Sequence, residues 1–258
     1  MDEGIYATPR LVTDLADCHF YHSMEIPGYG SVEGEWDLRD GTKNHLGGLD
    51  LAGKRVLELG TASGFLCFAM ERMGAEVVAY DLSEKDSWDL VPYDSLNTEE
   101  LINARKAHIR RLNNGYWLAH RAFKSNARVV YGSIYDIPNE IGPVDVATFT
   151  SILLHVRDPF HALERALRLT RETVVITESP MRRPLITSFL GRLTRPYVQF
   201  LPNPRKESPR DTWWRFSPEV LIAFIGVLGF KQVRVTRHSQ KYNGKPQPLY
   251  TIVGHRTR

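Results

Sequence analysis

Glu58 stands two residues before Gly60, and the turn Gly60-Thr61-Ala62-Ser63-Gly64 follows an apolar run, Val56-Leu57-Glu58-Leu59, that reads as a β-strand. A helical stretch, Phe65 to Met73, comes next, and a second strand, Glu76 to Tyr80, ends in Asp81 with Leu82 beside it. Strand, glycine turn, helix, strand and acid make one βαβ unit that opens at its carboxyl edge. The glycines let the backbone turn sharply and approach a ligand, and Asp81 could accept hydrogen bonds from a ribose diol. A dinucleotide site would show G-x-G-x-x-G aimed at a pyrophosphate, whereas this spacing is E-x-G-x-x-x-G. A carboxylate beside the turn disfavours a diphosphate and suits a ligand that carries an amino group.

S-adenosylmethionine has that amino group, together with a sulfonium and a ribose. Its binding residues would be Glu58, Gly60, Thr61, Ala62, Ser63, Gly64, Asp81 and Leu82. Thr150 and Ser151 join them at the end of a later strand, Val144 to Thr150, because ligands of open α/β sheets meet strand carboxyl ends. His155, four residues on, is the first candidate for a general base, since an imidazole titrates near neutral pH. The competing reading is a structural histidine bonded to backbone. His22 is the second candidate base. It belongs to an aromatic segment before the βαβ unit, in which Tyr21 and Trp36 could touch substrate or simply anchor the arm by burying area. His19 and His22 have the spacing of a metal pair on a helix, but no third ligand is evident and no metal is expected.

The elements that must position these residues follow from the pattern. Residues 1–50 form an N-terminal arm, with a helix expected over Pro9 to Ala16; residues 51–180 form the ligand-binding core. After Ser83 to Tyr93, a polar loop, Asn97 caps a helix to about Leu112, which Asn113-Asn114-Gly115 breaks before a second helix, Tyr116 to Phe123. Strands follow at Ala127–Tyr131, Val144–Thr150 and Thr173–Thr177, with a helix over Phe160–Leu169. Residues 181–216 interrupt the alternation with mixed arginines and aromatics, Arg182 among them. This insertion reads as a lid that recognises substrate, as an RNA-contacting surface or as an oligomer contact. Residues 217–258 hold a final helix, Val220 to Leu228, apolar nearly all round and so expected to be buried. Two closing strands, Lys231–Arg237 and Leu249–Gly254, are joined by a polar loop around Asn243-Gly244. All of this predicts a single α/β domain.

Composition bounds the class. The chain is 42% hydrophobic and 24% charged, an ordinary globular balance that argues against disorder. No apolar run is long enough for a membrane span, the N-terminus is acidic where a signal peptide would be basic, and the two cysteines form no framework. A cytoplasmic protein is expected. Net charge is only +3, but residues 1–50 carry ten acids and residues 101–128 seven Lys/Arg with no acid. The arm is expected to lie against those basic segments, since an acidic arm would repel phosphates.

The glycine turn with its following acid resembles motif I and the post-strand-2 acid of class I S-adenosylmethionine-dependent methyltransferases. More broadly, YHSMEIP–GEWDL, LGGLDLAGKRVLELG and ILLHVRDPFHALERALRLT resemble a bacterial group that includes tRNA wobble-uridine carboxymethyltransferases. The resemblance implies a Rossmann-like sheet, mostly parallel with an antiparallel closing strand, flanked by helices. It also implies that the loop after strand three meets the adenine ring through Ser133 and Ile134. Those tRNA enzymes carry a tyrosine where Leu154 stands here, so ordinary S-adenosylmethionine is expected in place of its carboxylated form. The implied activity is methyl transfer to an O or N atom of a small molecule. RNA modification, or a non-catalytic nucleotide-binding regulator, are the alternatives.

Overall fold

A computed structural model describes residues 3–181 and 196–257. The arm holds three short strands, β1 (Met24–Ile26), β2 (Gly30–Val32) and β3 (Trp36–Asp37), and one turn of helix, α1 (Thr42–His45). The core runs β4 (Arg55–Leu59), α2 (Phe65–Arg72), β5 (Glu76–Asp81), α3 (Thr98–Phe123), β6 (Arg128–Tyr131), β7 (Val144–Thr150), α4 (Pro159–Leu167) and β8 (Thr170–Glu178). A hairpin of β9 (Val198–Phe200) and β10 (Trp214–Phe216), then α5 (Pro218–Val227), β11 (Phe230–Tyr242) and β12 (Lys245–Arg256), complete the chain.

Eight strands share one sheet in the order β3-β11-β12-β8-β7-β4-β5-β6. The five core strands are parallel, and β12 pairs antiparallel with β8 and with β11. The expected architecture is therefore present. Because β4 neighbours both β5 and β7, the strand order reverses between β4 and β7, and the crevice above their carboxyl ends is where such sheets bind ligands. One apolar layer joins α2, α3 and the arm to the sheet; a second joins α4 and α5 to the other face.

Four expectations need correction. Asn113-Asn114-Gly115 does not break a helix: α3 is continuous over 26 residues. The triplet is where the arm and the loop after β5 dock. Asn113 donates to the Leu82 carbonyl at 3.1 Å, Asn114 to the Asp17 carbonyl at 3.0 Å, and a Cβ on Gly115 would sit 2.7 Å from the His19 carbonyl oxygen. Polar and small residues are kept inside the helix because another backbone lies on it. Pro9 to Ala16 is not helical; the arm makes only a short 3-10 turn, Leu15–Asp17, with Asp14 accepting from the Ala16 amide at 2.8 Å. The closing strands run much further than expected, to a two-residue turn at Asn243 (φ 47°) and Gly244 (φ 72°), the positive-φ pair that matches strand twist in a tight hairpin. Their tip reaches back to the arm, pairing Tyr242 with Trp36 and stitching β3 onto the sheet edge. Finally, α5 buries Val220, Leu221 and Ile225, but Val227 is 77% exposed, so one flank of an apolar helix faces solvent.

The arm does lie on α3, but not through ion pairs. Arg111 donates to the carbonyls of Ala16 and Cys18, and Arg121 to the Tyr29 hydroxyl. The arm carboxylates of Glu25, Asp37 and Asp40 instead pair with Arg39 and Lys241. Among the described residues no helix is long and apolar enough to cross a membrane.

Gly64 carries the packing of the first turn of α2. Its φ is 89°, and a Cβ there would lie 2.5 Å from Phe68 and 2.8 Å from Tyr116. Gly64→Ala is expected to cost about 2 kcal/mol or more in urea unfolding. Gly226→Ala, in α5 with nothing within 4 Å, should instead be neutral or stabilise by about 0.5–1 kcal/mol.

Candidate cofactor and acceptor site

The glycine turn hangs from β4 at the reversal point. Gly60 donates to the Tyr80 carbonyl at 2.8 Å and Gly64 to the Thr61 carbonyl at 2.9 Å, closing the loop. Gly60 has φ 80° and its absent Cβ would be 3.1 Å from Ile152, so the loop after β7 closes directly over the turn. Ala62, at φ 50°, holds a conformation that favours glycine, with its amide aimed at Asp81. Asp81 accepts from the Ala62 amide at 2.6 Å and from the Leu82 amide at 2.7 Å, one to each oxygen. Both oxygens keep a lone pair for further donors. Burial raises the Asp81 pKa, and the two amides act against that rise.

Glu58 is 1% exposed, and its Oε2 has no partner. Burial pushes the carboxyl up to about 8. Thr61 Oγ1, and Thr148 Oγ1 directly across on β7, are also buried without partners, as are Nδ1 of His22 and of His45. Leaving buried polar atoms unpaired costs about 1–3 kcal/mol each, so those of Glu58, Thr61, Thr148 and His22 around one crevice mark a place built for a polar ligand. Two clefts, of about 300 and 280 Å³, lie away from the turn: one between Pro180, Pro218 and Tyr250, the other between Arg39, Phe68 and Arg72. Unpaired polar atoms, not open volume, identify the site.

Glu58 also makes the unliganded fold pH-sensitive. A folded pKa of about 8 against an ordinary 4.5 means that the native state keeps a proton the unfolded chain has lost between those values. Stability therefore falls as pH rises through that window. Glu58→Gln is expected to raise the thermal midpoint of the unliganded protein at pH 8.5, with the gain vanishing near pH 4.

The remaining expected residues divide. Ser133 and Ile134 follow β6 at the same sheet edge, with the Tyr80 hydroxyl donating to the Ser133 carbonyl at 2.9 Å. The Ser133 hydroxyl accepts from the Tyr135 amide at 3.3 Å, a turn contact. Thr150 ends β7, and Ser151, at φ 55°, donates its amide to the Thr177 carbonyl at 2.8 Å. Tyr21 is tied to the turn, its amide donating to Ser63 Oγ at 3.1 Å, and its hydroxyl accepts from Trp36 Nε1 at 3.3 Å. The arm thus lies across the crevice. His22 is 8% exposed beside Tyr21 and Phe65, and burial lowers its pKa to about 4. Arg182 lies outside the described residues. Among the described residues no cluster of three His, Cys, Asp or Glu side chains could hold a metal.

His155 sits in the short helical turn after β7, with Nδ1 2.6 Å from the Asp211 carbonyl. A carbonyl only accepts, so Nδ1 carries the proton and Nε2 carries the lone pair. Burial lowers its pKa, leaving a neutral ring at pH 7. Sequence reading missed what surrounds it. The Arg105 guanidinium of α3 lies 4.6 Å from the Trp88 ring centre and pairs with the Asp211 carboxylate, and Trp88 tilts against His155 at 6.2 Å. Trp88, Arg105 and Asp211 lie 67, 50 and 56 positions from His155 in the chain, and no local spacing announces them.

Comparisons place this geometry. A family model described as a methyltransferase domain matches residues 37–219. A ubiquinone biosynthesis O-methyltransferase of Xanthomonas oryzae pv. oryzae is 26% identical over 166 residues, covering 58% of each chain. Another, of Xanthomonas campestris pv. campestris, is 25% identical over 235 residues, 81% of this chain and 85% of that one. The chain thus spans 58% of the length of the first of these curated relatives. Among solved structures, the N-terminal domain of EvdMO1, determined in the presence of SAH and D-fucose, superposes with a TM-score of 0.56 at 18% identity, covering 95% of this chain and 93% of that one. The magnesium protoporphyrin IX methyltransferase of Synechocystis PCC 6803 with bound SAH gives 0.53 at 12% identity, covering 85% and 82%. At such identities the structures speak for the fold.

Proposed function

The chain belongs to the methyltransferase-domain family, and from that premise we propose that it transfers a methyl group from S-adenosylmethionine to an oxygen or nitrogen of a small molecule. The observation that carries the reading is the crevice between β4 and β7, where Glu58 stands unpaired beside the glycine turn and Asp81 is held by two backbone amides. Glu58 would hold the amino group of S-adenosylmethionine, and Asp81 its ribose hydroxyls. A neighbouring ammonium favours the ionised carboxylate and draws the Glu58 pKa back down. Thr61, Ala62 and Ser63 bring backbone close to the ligand; Ser133 and Ile134 stand where adenine would lie.

The bound cofactor supplies a methyl group on a sulfonium, already a good leaving group. The chain's own residues have to align the acceptor, exclude water and take a proton when the acceptor is a hydroxyl. His155 Nε2 is the proton acceptor. The arm at Tyr21 and Trp36, and the returning cap at Asp211 and Trp213, screen the crevice from solvent.

A small acceptor is favoured over RNA by where the cations go. Arg105 pairs with Asp211, Arg157 lies over the Trp213 ring, and Arg111 is spent on backbone carbonyls. The curated relatives, named for ubiquinone biosynthesis, point the same way. Leu154 beside His155 supports the ordinary cofactor over the carboxylated one that the wobble-uridine enzymes use. Two buried, unpaired cysteines, Cys18 and Cys67, agree with a cytoplasmic location. The test is to incubate the protein with methyl-labelled S-adenosylmethionine and separate metabolite and RNA fractions. Label in a small-molecule fraction is expected. Label confined to RNA would replace this acceptor class, and none in either would leave a binding protein.

A further inference from the structure

We propose that Arg105, Asp211 and Trp88 are positioning residues that fix the His155 ring and its tautomer, so that the returning cap segment completes the base. This rests on the reading of His155 as the proton acceptor. Four segments close one circuit. The Asp211 carbonyl takes Nδ1–H of His155 at 2.6 Å; the Asp211 carboxylate pairs with Arg105; Arg105 stacks over Trp88 at 4.6 Å; Trp88 tilts against the imidazole at 6.2 Å. His155 belongs to the turn after β7, Asp211 to the cap, Arg105 to α3 and Trp88 to the loop after β5.

The cap segment that carries Asp211 is anchored on both sides of this circuit. Trp213 donates its amide to the Leu154 carbonyl at 2.8 Å and its indole N–H to the Asp89 carbonyl at 2.7 Å. The Val91 amide donates to the Arg210 carbonyl at 2.9 Å. The carbonyl that orients His155 is therefore in place only while the cap is docked on the loop after β5. An imidazole free to rotate would exchange tautomers, and half of its orientations would offer N–H where the acceptor needs a lone pair.

The two charges act on the ring with opposite sign. Asp211 favours the imidazolium and Arg105 disfavours it. Two other ionisable groups stand near: His108 of α3, whose ring meets Trp88 at 5.5 Å, and Glu178, the last residue of β8, whose Oε1 is buried without a partner. Burial lowers His108 to about 4 and raises Glu178 to about 8, so Glu178 stays protonated over the range below 6.5 in which His155 titrates.

The experiment is NMR of protein carrying 15N-labelled histidine, with the His155 signal identified by its loss in His155→Gln. In the wild type, His155 should show the Nδ1–H tautomer alone. Arg105→Met should raise its pKa and Asp211→Asn should lower it, each by about half a unit or more; Trp88→Leu should mix the tautomers. Calorimetric titration with S-adenosylhomocysteine, unchanged in each variant, checks that the fold and cofactor crevice remain. A mixed tautomer in the wild type, or shifts of the same sign in both charge variants, would overturn the proposal. The base reading fails separately, if the tautomer is fixed as described and His155→Gln still transfers methyl at the wild-type rate.

Discussion

His155→Gln is expected to lower the rate of methyl transfer to a hydroxyl acceptor by about 10²–10⁴-fold, the usual contribution of a positioned base. Cofactor affinity should stay within about twofold, because the role proposed for Nε2 is to take the acceptor's proton and not to hold the nucleoside. Glutamine keeps a donor for the Asp211 carbonyl and roughly the ring's reach, so the loss reports the proton acceptor and not a cavity. The pH profile adds a sign. Burial lowers the His155 pKa below its ordinary 6.5, so activity should fall only in acid, below that value, as the lone pair becomes protonated. In His155→Gln that acid limb disappears. Single-turnover transfer of labelled methyl over a pH series measures both. If the acceptor atom is a nitrogen already carrying a lone pair, His155→Gln should cost much less, and the same series then identifies the atom.

Asp81→Ala is expected to weaken S-adenosylmethionine binding by more than about tenfold, since a buried ribose loses a charged acceptor. The effect has a second source in the protein itself. Asp81 holds the Ala62 amide at 2.6 Å and the Leu82 amide at 2.7 Å, and Ala62 stays at φ 50° against its preference. Without the carboxylate, two amides lose their acceptor and the turn loses its brace. Asp81→Asn separates the two contributions. Its oxygen can still take one amide while the charge is gone, so its affinity should fall between the wild type and Asp81→Ala. Calorimetry with S-adenosylhomocysteine gives both values, and unchanged affinity in Asp81→Ala would remove the residue from the site.

What could be read in the chain beforehand was what local sequence encodes. Glu58 to Asp81 was legible because strand, turn, helix and acid lie within 25 positions and each imposes its own pattern. Long-range reasons were not. Asn113-Asn114-Gly115 carries a turn signature, yet α3 runs through it because Asn113 serves the backbone after β5, while Asn114 and the missing Cβ of Gly115 serve the arm backbone. Asn243-Gly244 carried the local signal of a tight hairpin, and only the length of the flanking strands was underestimated: their outer halves are polar because they leave the core to reach β3. At the site, His155 was found by its position after a strand end. Its support was invisible because Trp88, Arg105 and Asp211 meet only after folding. The four unpaired buried atoms that mark the crevice, on Glu58, Thr61, Thr148 and His22, likewise come from three separate segments.

A β4–β7 crevice that holds S-adenosylmethionine, as proposed, must bind it through Glu58. Titrating the protein with S-adenosylmethionine in a calorimeter at pH 7, then displacing it with S-adenosylhomocysteine, decides this. The predicted result is one equivalent bound, fully displaced, and lost or greatly weakened in Glu58→Ala. No binding, or binding indifferent to Glu58, would contradict it.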